Sequence, residues 1–182
     1  EVSVEIAATP GARLAIENKC MSCHTPMASH DAKTLGQPLL LDLLSQDTPR
    51  GQLAVDGVSC TYCHAVVPDP ANVAASFNGN EVLAPNKYLF GPYDNPVGSP
   101  MSLRTGYAPQ KGEHVRDSAL CASCHTLYTT TLGVDGAPTG SRHVEQAAFL
   151  EWQNSIFDET RAAPGASAQS CQACHMPSAD QD

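Results

Sequence analysis

One five-residue pattern, Cys-x-x-Cys-His, occurs four times in the chain and includes all 8 of its cysteines. The copies lie at residues 20–24, 60–64, 121–125 and 171–175. Two thiols three positions apart, followed directly by an imidazole, form the attachment signature of a c-type haem. The thiols bond to the two porphyrin vinyl groups as thioethers, and the histidine ligates the iron. Any fold of this chain must therefore accommodate four large cofactors, which we predict to be four haem c groups.

Each motif residue has a predicted role that follows from its position. The thioether-forming residues are predicted to be Cys20, Cys23, Cys60, Cys63, Cys121, Cys124, Cys171 and Cys174. The proximal iron ligands are predicted to be His24, His64, His125 and His175. Other uses of paired cysteines are a structural zinc site, a redox dithiol, or a set of disulfides. None of these requires a histidine after every pair, so they explain the pattern less well.

Length and composition constrain the fold. The length predicts one domain over residues 1–182. Four haems sharing 182 residues leave about 45 residues for each, too few for a layered core around every cofactor. Glycine and proline number 13 and 14, whereas hydrophobic residues make up 42% of the chain, which indicates ordered loops rather than disorder. We expect a mostly α-helical, haem-packed fold with extensive irregular loops and little or no β-sheet.

Local patterns predict several short helices. A threonine followed by a proline at residues 9–10 is typical of a helix start, and this helix would lead into the first motif. Another short helix should end at His125, and residues 167–174 are the last candidate. The longest helix is expected over residues 142–157, although its apolar stripe is imperfect.

Residues 66–112 have a different composition. They contain seven prolines and five glycines, so they cannot hold a long helix. Their tyrosine, phenylalanine, leucine and methionine side chains are apolar enough to pack on haem faces, and we expect an ordered loop. Short strand pairs are conceivable only near residues 52–58 and 126–134.

Iron coordination requires more ligands than the motifs supply. Six-coordinate iron in four haems needs eight axial ligands, and the chain has 7 histidines. The distal candidates outside the motifs are His114, His30, His143 and Met101. His114 lies seven residues before the third motif, and His30 lies six residues after the first. Each is too close in sequence to ligate the haem of that motif comfortably, so each is expected to ligate a neighbouring haem. The missing eighth ligand leaves three solutions open: a methionine, one five-coordinate haem, or an unusual ligand such as a terminal amine.

The charge balance restricts the partners. The formal net charge is −9, with only 10 Lys and Arg and no basic run, which argues against nucleic acid and anionic membrane surfaces. No apolar run approaches the ~20 residues that span a bilayer. Haem c is attached outside the cytoplasm, and the chain begins without Met, as a processed secreted chain does. We expect a periplasmic, cell-surface or extracellular protein that meets redox partner proteins or further copies of itself.

Several segments carry a family resemblance. They are Asp56-Gly57-Val58-Ser59-Cys60, Gly91-Pro92-Tyr93, residues 120–128, residues 145–152 and residues 171–177. Over about residues 56–177 the chain resembles multihaem cytochromes of the cytochrome c-554 and hydroxylamine oxidoreductase-like group. The resemblance implies a haem-dominated fold with closely stacked haem pairs. It also implies that one five-coordinate haem among four would agree with the histidine count.

The sequence favours electron transfer through four closely spaced haems. The chain would act either as a separate carrier or as the subunit of an extracellular cytochrome filament. The alternative is an enzyme whose open haem acts on a small nitrogen or sulfur compound. An electron carrier is favoured over an enzyme, because no cluster of polar residues for a distal pocket stands out in the sequence.

Overall fold

A computed structural model describes residues 10–132 and 137–176. Its α-helices in these ranges are α1 (Arg13–His24), α2 (Pro26–Leu35), α3 (Pro49–Val55), α4 (Cys60–Ala65), α5 (Ser99–Thr105), α6 (Ala122–His125), α7 (Ala148–Gln153) and α8 (Cys171–His175). Short 3-10 turns lie at Pro10–Ala12, Leu41–Ser45, Val73–Ser76, Glu113–Arg116 and Ser118–Leu120. Among the described helices, none has the length and apolar character that crossing a membrane requires.

The described strands form three two-stranded sheets. They are β1 (Val66–Val67), β2 (Val82–Leu83), β3 (Tyr88–Gly91), β4 (Ala108–Lys111), β5 (Leu127–Leu132) and β6 (Pro138–Gln146). Strands β1 and β2 are antiparallel, with Val66 opposite Leu83. Strands β3 and β4 are parallel, with Tyr88 opposite Ala108. Strands β5 and β6 form the third sheet.

The prediction of a mostly helical fold with little or no β-sheet is wrong. About 46% of the described residues are helical, with the 3-10 turns included, and 17% lie in strands, so the fold is mixed. The helix expected over residues 142–157 is replaced by β6 and by the six residues of α7. Three consecutive threonines in β5 explain the difference, because β-branched residues favour strands and β5 gives β6 a partner. Near residues 52–58, one of the two places considered for a short strand pair, residues 52–55 lie in α3 instead.

The chain divides into two compact units. The first contains residues 1–62 and 128–144, and the second contains residues 63–127 and 145–182. One domain over residues 1–182 stays a prediction. In the first unit, helices α1, α2 and α3 share an apolar core with the segment between α2 and α3. The core residues are Met21, Ala28, Ala32, Leu39, Leu43 and Ala54, with Leu41 and Leu53 packed against them.

Polar contacts hold this core in place. Glu17 is 1% exposed and accepts hydrogen bonds from Arg13 Nε at 2.7 Å and from the Leu41 N–H at 3.0 Å, which ties α1 to the Leu41–Ser45 turn. The Thr48 hydroxyl accepts from the Gly51 N–H at 3.0 Å and caps α3. A Cβ on Gly51 would overlap the preceding backbone, so only glycine fits there. The helix that carries the first motif is therefore well anchored.

The second unit buries fewer large apolar side chains. Phe149 is buried, stacked on Trp152 at a centroid distance of 5.6 Å and edge-on to Phe77 at 6.1 Å. In contrast, Leu103 is 90% exposed and Val97 is 80% exposed. Among the described residues, the first unit therefore has the more continuous apolar core.

Candidate haem-attachment sites

All four motifs lie on helices that end at or beside the motif histidine. Helices α1, α6 and α8 end at their histidine, and α4 continues one residue further, to Ala65. Cys121, which precedes α6, already has helical dihedral angles (φ −80°, ψ −18°). Positions i, i+3 and i+4 share one face of a helix. The two thiols and the imidazole of each motif therefore lie on the same side. The predictions of short helices that end at the first, third and fourth motifs are confirmed.

The first motif shows why the helix stops at its histidine. Thr25 precedes Pro26, and a residue before proline is disfavoured in the helical region. Thr25 accordingly has φ −138° and ψ 57°. Its backbone N–H and its hydroxyl both donate to the Met21 carbonyl oxygen, at 2.9 and 3.0 Å. The chain therefore leaves the helix directly after His24.

The motif side chains are accessible. All four motif histidines are exposed. Cys60 and Cys174 are exposed, and the other six motif cysteines are partly buried. The two thiols and the ring nitrogen of each motif are therefore within reach of a porphyrin that docks on the helix face.

The second motif has a contact typical of a metal-ligating histidine. His64 Nδ1 contacts the carbonyl oxygen of Phe90. A carbonyl oxygen only accepts, so Nδ1 carries the proton and Nε2 keeps its lone pair. Metal-ligating histidines usually donate their second ring N–H to a carbonyl or carboxylate in this way. His64 is therefore oriented with Nε2 available for iron.

His114, a predicted distal ligand, lies next to this site but makes a different contact. Its ring is half-buried and packs edge-on against Phe90, with centroids 4.9 Å apart. Its Nε2 donates to the Val66 carbonyl oxygen at 2.9 Å. A Cβ on Gly112 would lie 2.6 Å from the His114 ring, so the glycine is needed for this packing. In this rotamer Nδ1, not Nε2, presents the lone pair, and ligation through Nε2 requires the ring to turn.

The other distal candidates lie in three separate elements. His30 is exposed on α2, and His143 is exposed on β6. Met101 lies on α5 with 38% of its surface exposed. Their assignment as iron ligands stays a prediction.

The start of α8 is fixed by polar contacts on both sides. The Ser170 hydroxyl accepts from the Ala173 N–H at 3.1 Å and caps the helix. Gln172 Nε2 donates to the Asp117 carbonyl oxygen at 2.8 Å and to the Val115 carbonyl oxygen at 3.2 Å. The fourth motif is therefore attached to the segment that precedes the third motif. Sequence reasoning missed this link, because no local pattern signals a contact over more than 50 positions.

Cysteines from three motifs approach one another in the second unit. The pKa of the Cys121 thiol is raised to about 12, first because the thiol is partly buried and then because Cys171 and Cys63 lie nearby. Burial disfavours the charged thiolate, so Cys121 stays protonated at neutral pH.

A cavity of about 130 Å³ lies in the second unit beside the third motif. It is lined in part by Val66, Val82, Leu120, His114 and Ser123. Its size is far below that of a haem, but its lining includes both His114 and Ser123 of α6. Small rearrangements here would alter the environment of both.

The residues present fit covalent haem. The donor set is two thiols and an imidazole on one helix face, repeated four times. Two hydroxyls beside the motifs are buried without a partner: Ser59 Oγ, before the second motif, and Thr126 Oγ1, after the third. Buried hydroxyls normally have a hydrogen-bond partner, and a haem propionate is an acceptor that suits them. Within residues 10–132 and 137–176, no three His, Cys, Asp or Glu side chains are grouped to hold a metal ion.

Comparisons with family models, with curated proteins and with solved structures gave no match for the chain.

Proposed function

We propose that this chain is a tetrahaem c-type cytochrome that transfers electrons. The observation that carries the proposal is the fourfold Cys-x-x-Cys-His pattern, which uses all 8 cysteines and leaves none for another purpose. When bound, the haems supply one-electron redox chemistry at iron, and the protein supplies attachment, orientation and burial. The cytochrome c-554 and hydroxylamine oxidoreductase-like group is the family to which we assign it.

Three features of the chain support this proposal. Each motif presents its thiols and imidazole on one helix face. The Phe90 carbonyl oxygen orients His64 so that Nε2 faces away from the hydrogen bond. The thiols of Cys63, Cys121 and Cys171 lie near one another, so haems attached at these residues would have neighbouring edges. Short distances between haems are what multistep electron transfer requires.

The proposal also assigns the protein a location and a kind of redox partner. Haem c is attached outside the cytoplasm, so we assign the protein to the periplasm, cell surface or extracellular space. The net charge of −9 favours a redox partner with a basic docking surface over an acidic one.

A redox titration of the full chain, made in a host that attaches haem c, tests the function. We expect a visible spectrum of low-spin c-type haem and the uptake of four electrons per chain. Rapid oxidation by an external acceptor should occur without any change in covalent mass. A chain that takes up no electrons would contradict the proposal.

The histidine count favours one alternative. Because the chain carries 7 histidines for eight axial positions, one haem is the candidate for an open coordination site. Such a haem would act on a small nitrogen or sulfur compound. Carbon monoxide added to the reduced protein separates the two functions. An unchanged spectrum supports the carrier, and a shift in about one quarter of the haem absorbance supports the open site, by the stoichiometry of one haem in four.

Self-assembly is the second candidate, and β6 favours it. All nine residues of this strand are exposed, and within residues 10–132 and 137–176 its sheet has two strands, so β6 has one edge that no other described strand pairs with. Exposed strand edges pair readily with other chains, and a head-to-tail contact that does not close produces a filament. Sedimentation of the haem-loaded protein tests this. Particles that stay monomeric at high concentration would exclude the filament.

A further inference from the structure

One buried serine joins the third and fourth motifs. Ser118 is 1% exposed and begins the turn Ser118–Leu120, which leads directly into Cys121. Its carbonyl oxygen accepts the Cys121 N–H at 3.0 Å. Its hydroxyl oxygen accepts the Cys171 N–H at 2.9 Å, across 53 positions of sequence. Ser118 therefore binds the backbone of the first cysteine in both motifs.

The hydroxyl of Ser118 is fully used. It donates to Glu159 Oε1 at 3.4 Å while it accepts from Cys171. The Cys171 N–H lies in the first turn of α8, where backbone N–H groups have no partner within the helix. Ser118 satisfies one of these donors, and Ser170 satisfies another through the Ala173 N–H.

Gln172 reinforces the same connection. Its side-chain amide donates to the carbonyl oxygens of Asp117 and Val115, directly before Ser118. Side chain and backbone therefore both anchor the start of α8 to residues 115–118. Because a thioether is a short covalent link, any displacement of the Cys171 backbone passes to its sulfur and then to the edge of the porphyrin.

We propose that Ser118 is a positioning residue that fixes the attachment points of the third and fourth haems relative to each other. This inference rests on the proposed function, since it requires haem at both motifs. Ser118 sets the distance and angle between the two porphyrins and thereby the electronic coupling between them. It touches neither iron and does not act as a ligand.

The test is the circular dichroism of the Soret band in the haem-loaded full chain. Two haems in close contact give a signal with paired positive and negative lobes, whose amplitude depends on their distance and mutual angle. Ser118→Ala removes the acceptor for the Cys171 N–H, so we expect four haems by mass but a loss of amplitude in these lobes. Ser118→Thr keeps the hydroxyl and should retain them.

Two further variants control the experiment. Ser155→Ala removes a part-buried serine of the same unit that bonds only locally, to the Trp152 carbonyl oxygen at 2.8 Å and the Phe157 N–H at 3.0 Å. It should leave the Soret signal unchanged. Gln172→Met removes the second anchor and should weaken the signal as Ser118→Ala does. Gln172→Met decides the question if Ser118→Ala does not fold.

The outcomes separate this inference from the function on which it rests. Four haems with an unchanged Soret signal and unchanged reduction potentials in Ser118→Ala, or in Gln172→Met where that variant decides, would overturn the positioning role. An unmodified chain that carries fewer than four covalent haems would overturn the proposed function instead. Loss of amplitude in Ser118→Ala, with retention in Ser118→Thr and Ser155→Ala, is the result that supports Ser118.

Discussion

The two compact units bury their apolar side chains in different ways. In the first unit, α1 carries the first motif at its end and contributes Met21 to a continuous core. The second unit contains three of the four motif histidines, yet Leu103, Val97 and Tyr93 are largely exposed there. The unit with more predicted haem sites is therefore the one with less apolar core of its own.

The difference in apolar core between the two units indicates where the haems contribute to folding. Burial of apolar surface is the main favourable term in folding, and a haem brings a large apolar surface. The first unit has its own core, so it should need the haem less. The second unit should depend on haem to bury the apolar side chains that its own elements leave exposed.

Removal of all four haems should produce the largest difference in stability between the two units. In a full chain with its eight cysteines replaced by alanine, we expect α1, α2 and α3 to keep slow amide exchange. Residues 63–127 should exchange almost as fast as an unfolded chain, because their local stability falls toward zero. Hydrogen exchange followed by mass spectrometry measures both regions in one sample. Equal protection in the two units would refute the account.

The Cys121 thiol offers a pH-dependent test of packing in the second unit. Its pKa is raised from 9.0 to about 12, so its thiolate fraction near pH 8 should be about a thousandfold below that of an ordinary thiol. In the haem-free chain with its cysteines intact, the second unit should lose this packing, so Cys121 should alkylate about as fast as the exposed Cys60. If Cys121 instead stays the slowest of the eight, with a rate that rises about tenfold per pH unit up to about pH 12, the second unit packs without haem and the comparison fails.

The raised pKa of Cys121 also determines how the stability of a packed second unit changes with pH. The folded chain holds this proton above pH 9, whereas the unfolded chain releases it, so stability falls as the pH rises from about 9 to about 12. A decrease of this kind in the haem-free chain would show, as slow alkylation would, that the second unit packs without haem.

A pair of substitutions sharpens the contrast between buried and exposed apolar residues. Met21→Ala deletes a side chain that is 1% exposed in the first core and should cost about 2–5 kcal/mol of unfolding free energy. Leu103→Ala changes a side chain that is 90% exposed and should stay within about 0.5 kcal/mol in the haem-free chain. Urea unfolding gives both values. A large loss of unfolding free energy in Leu103→Ala would show that the Leu103 side chain is buried in a core.

The helix caps give the smallest expected effect. Thr48→Ala removes the cap of α3 and should lower stability by about 0.5–2 kcal/mol with or without haem. Ser170→Ala removes the cap of α8 and should lower the thermal midpoint only when haem is attached. Thermal melts followed by circular dichroism distinguish the two. An equal effect of Ser170→Ala in the haem-free chain would show that α8 forms without cofactor.

Local signals explain what the sequence predicted correctly. The helices end at the motif histidines partly because of neighbouring residues, as Pro26 shows for α1. The expected strand near residues 126–134 contains β5, where three threonines favour extended backbone. These features depend on residues within one turn or one strand, so they can be predicted from the sequence alone.

Long-range pairing explains what the sequence did not predict. Strand β4 contains Pro109, which argues against a strand, but a two-stranded sheet leaves an edge where the missing N–H is tolerated. Its parallel partner β3 is identified only by the folded chain. The contact of His64 with Phe90 spans 26 positions, and that of Ser118 with Cys171 spans 53. Neither has a local signature, so the arrangement of the motifs could not be derived from their spacing.

Mapping of covalent haem by peptide mass spectrometry tests whether all four motifs attach haem. The full chain is made in a host that attaches haem c and is then digested. Mass spectrometry gives the masses of the peptides that contain Cys20, Cys60, Cys121 and Cys171. We predict that each of the four peptides carries one haem bound through both of its cysteines. Four haem-free peptides with eight unmodified thiols, from a host that loads a control cytochrome, would contradict the account.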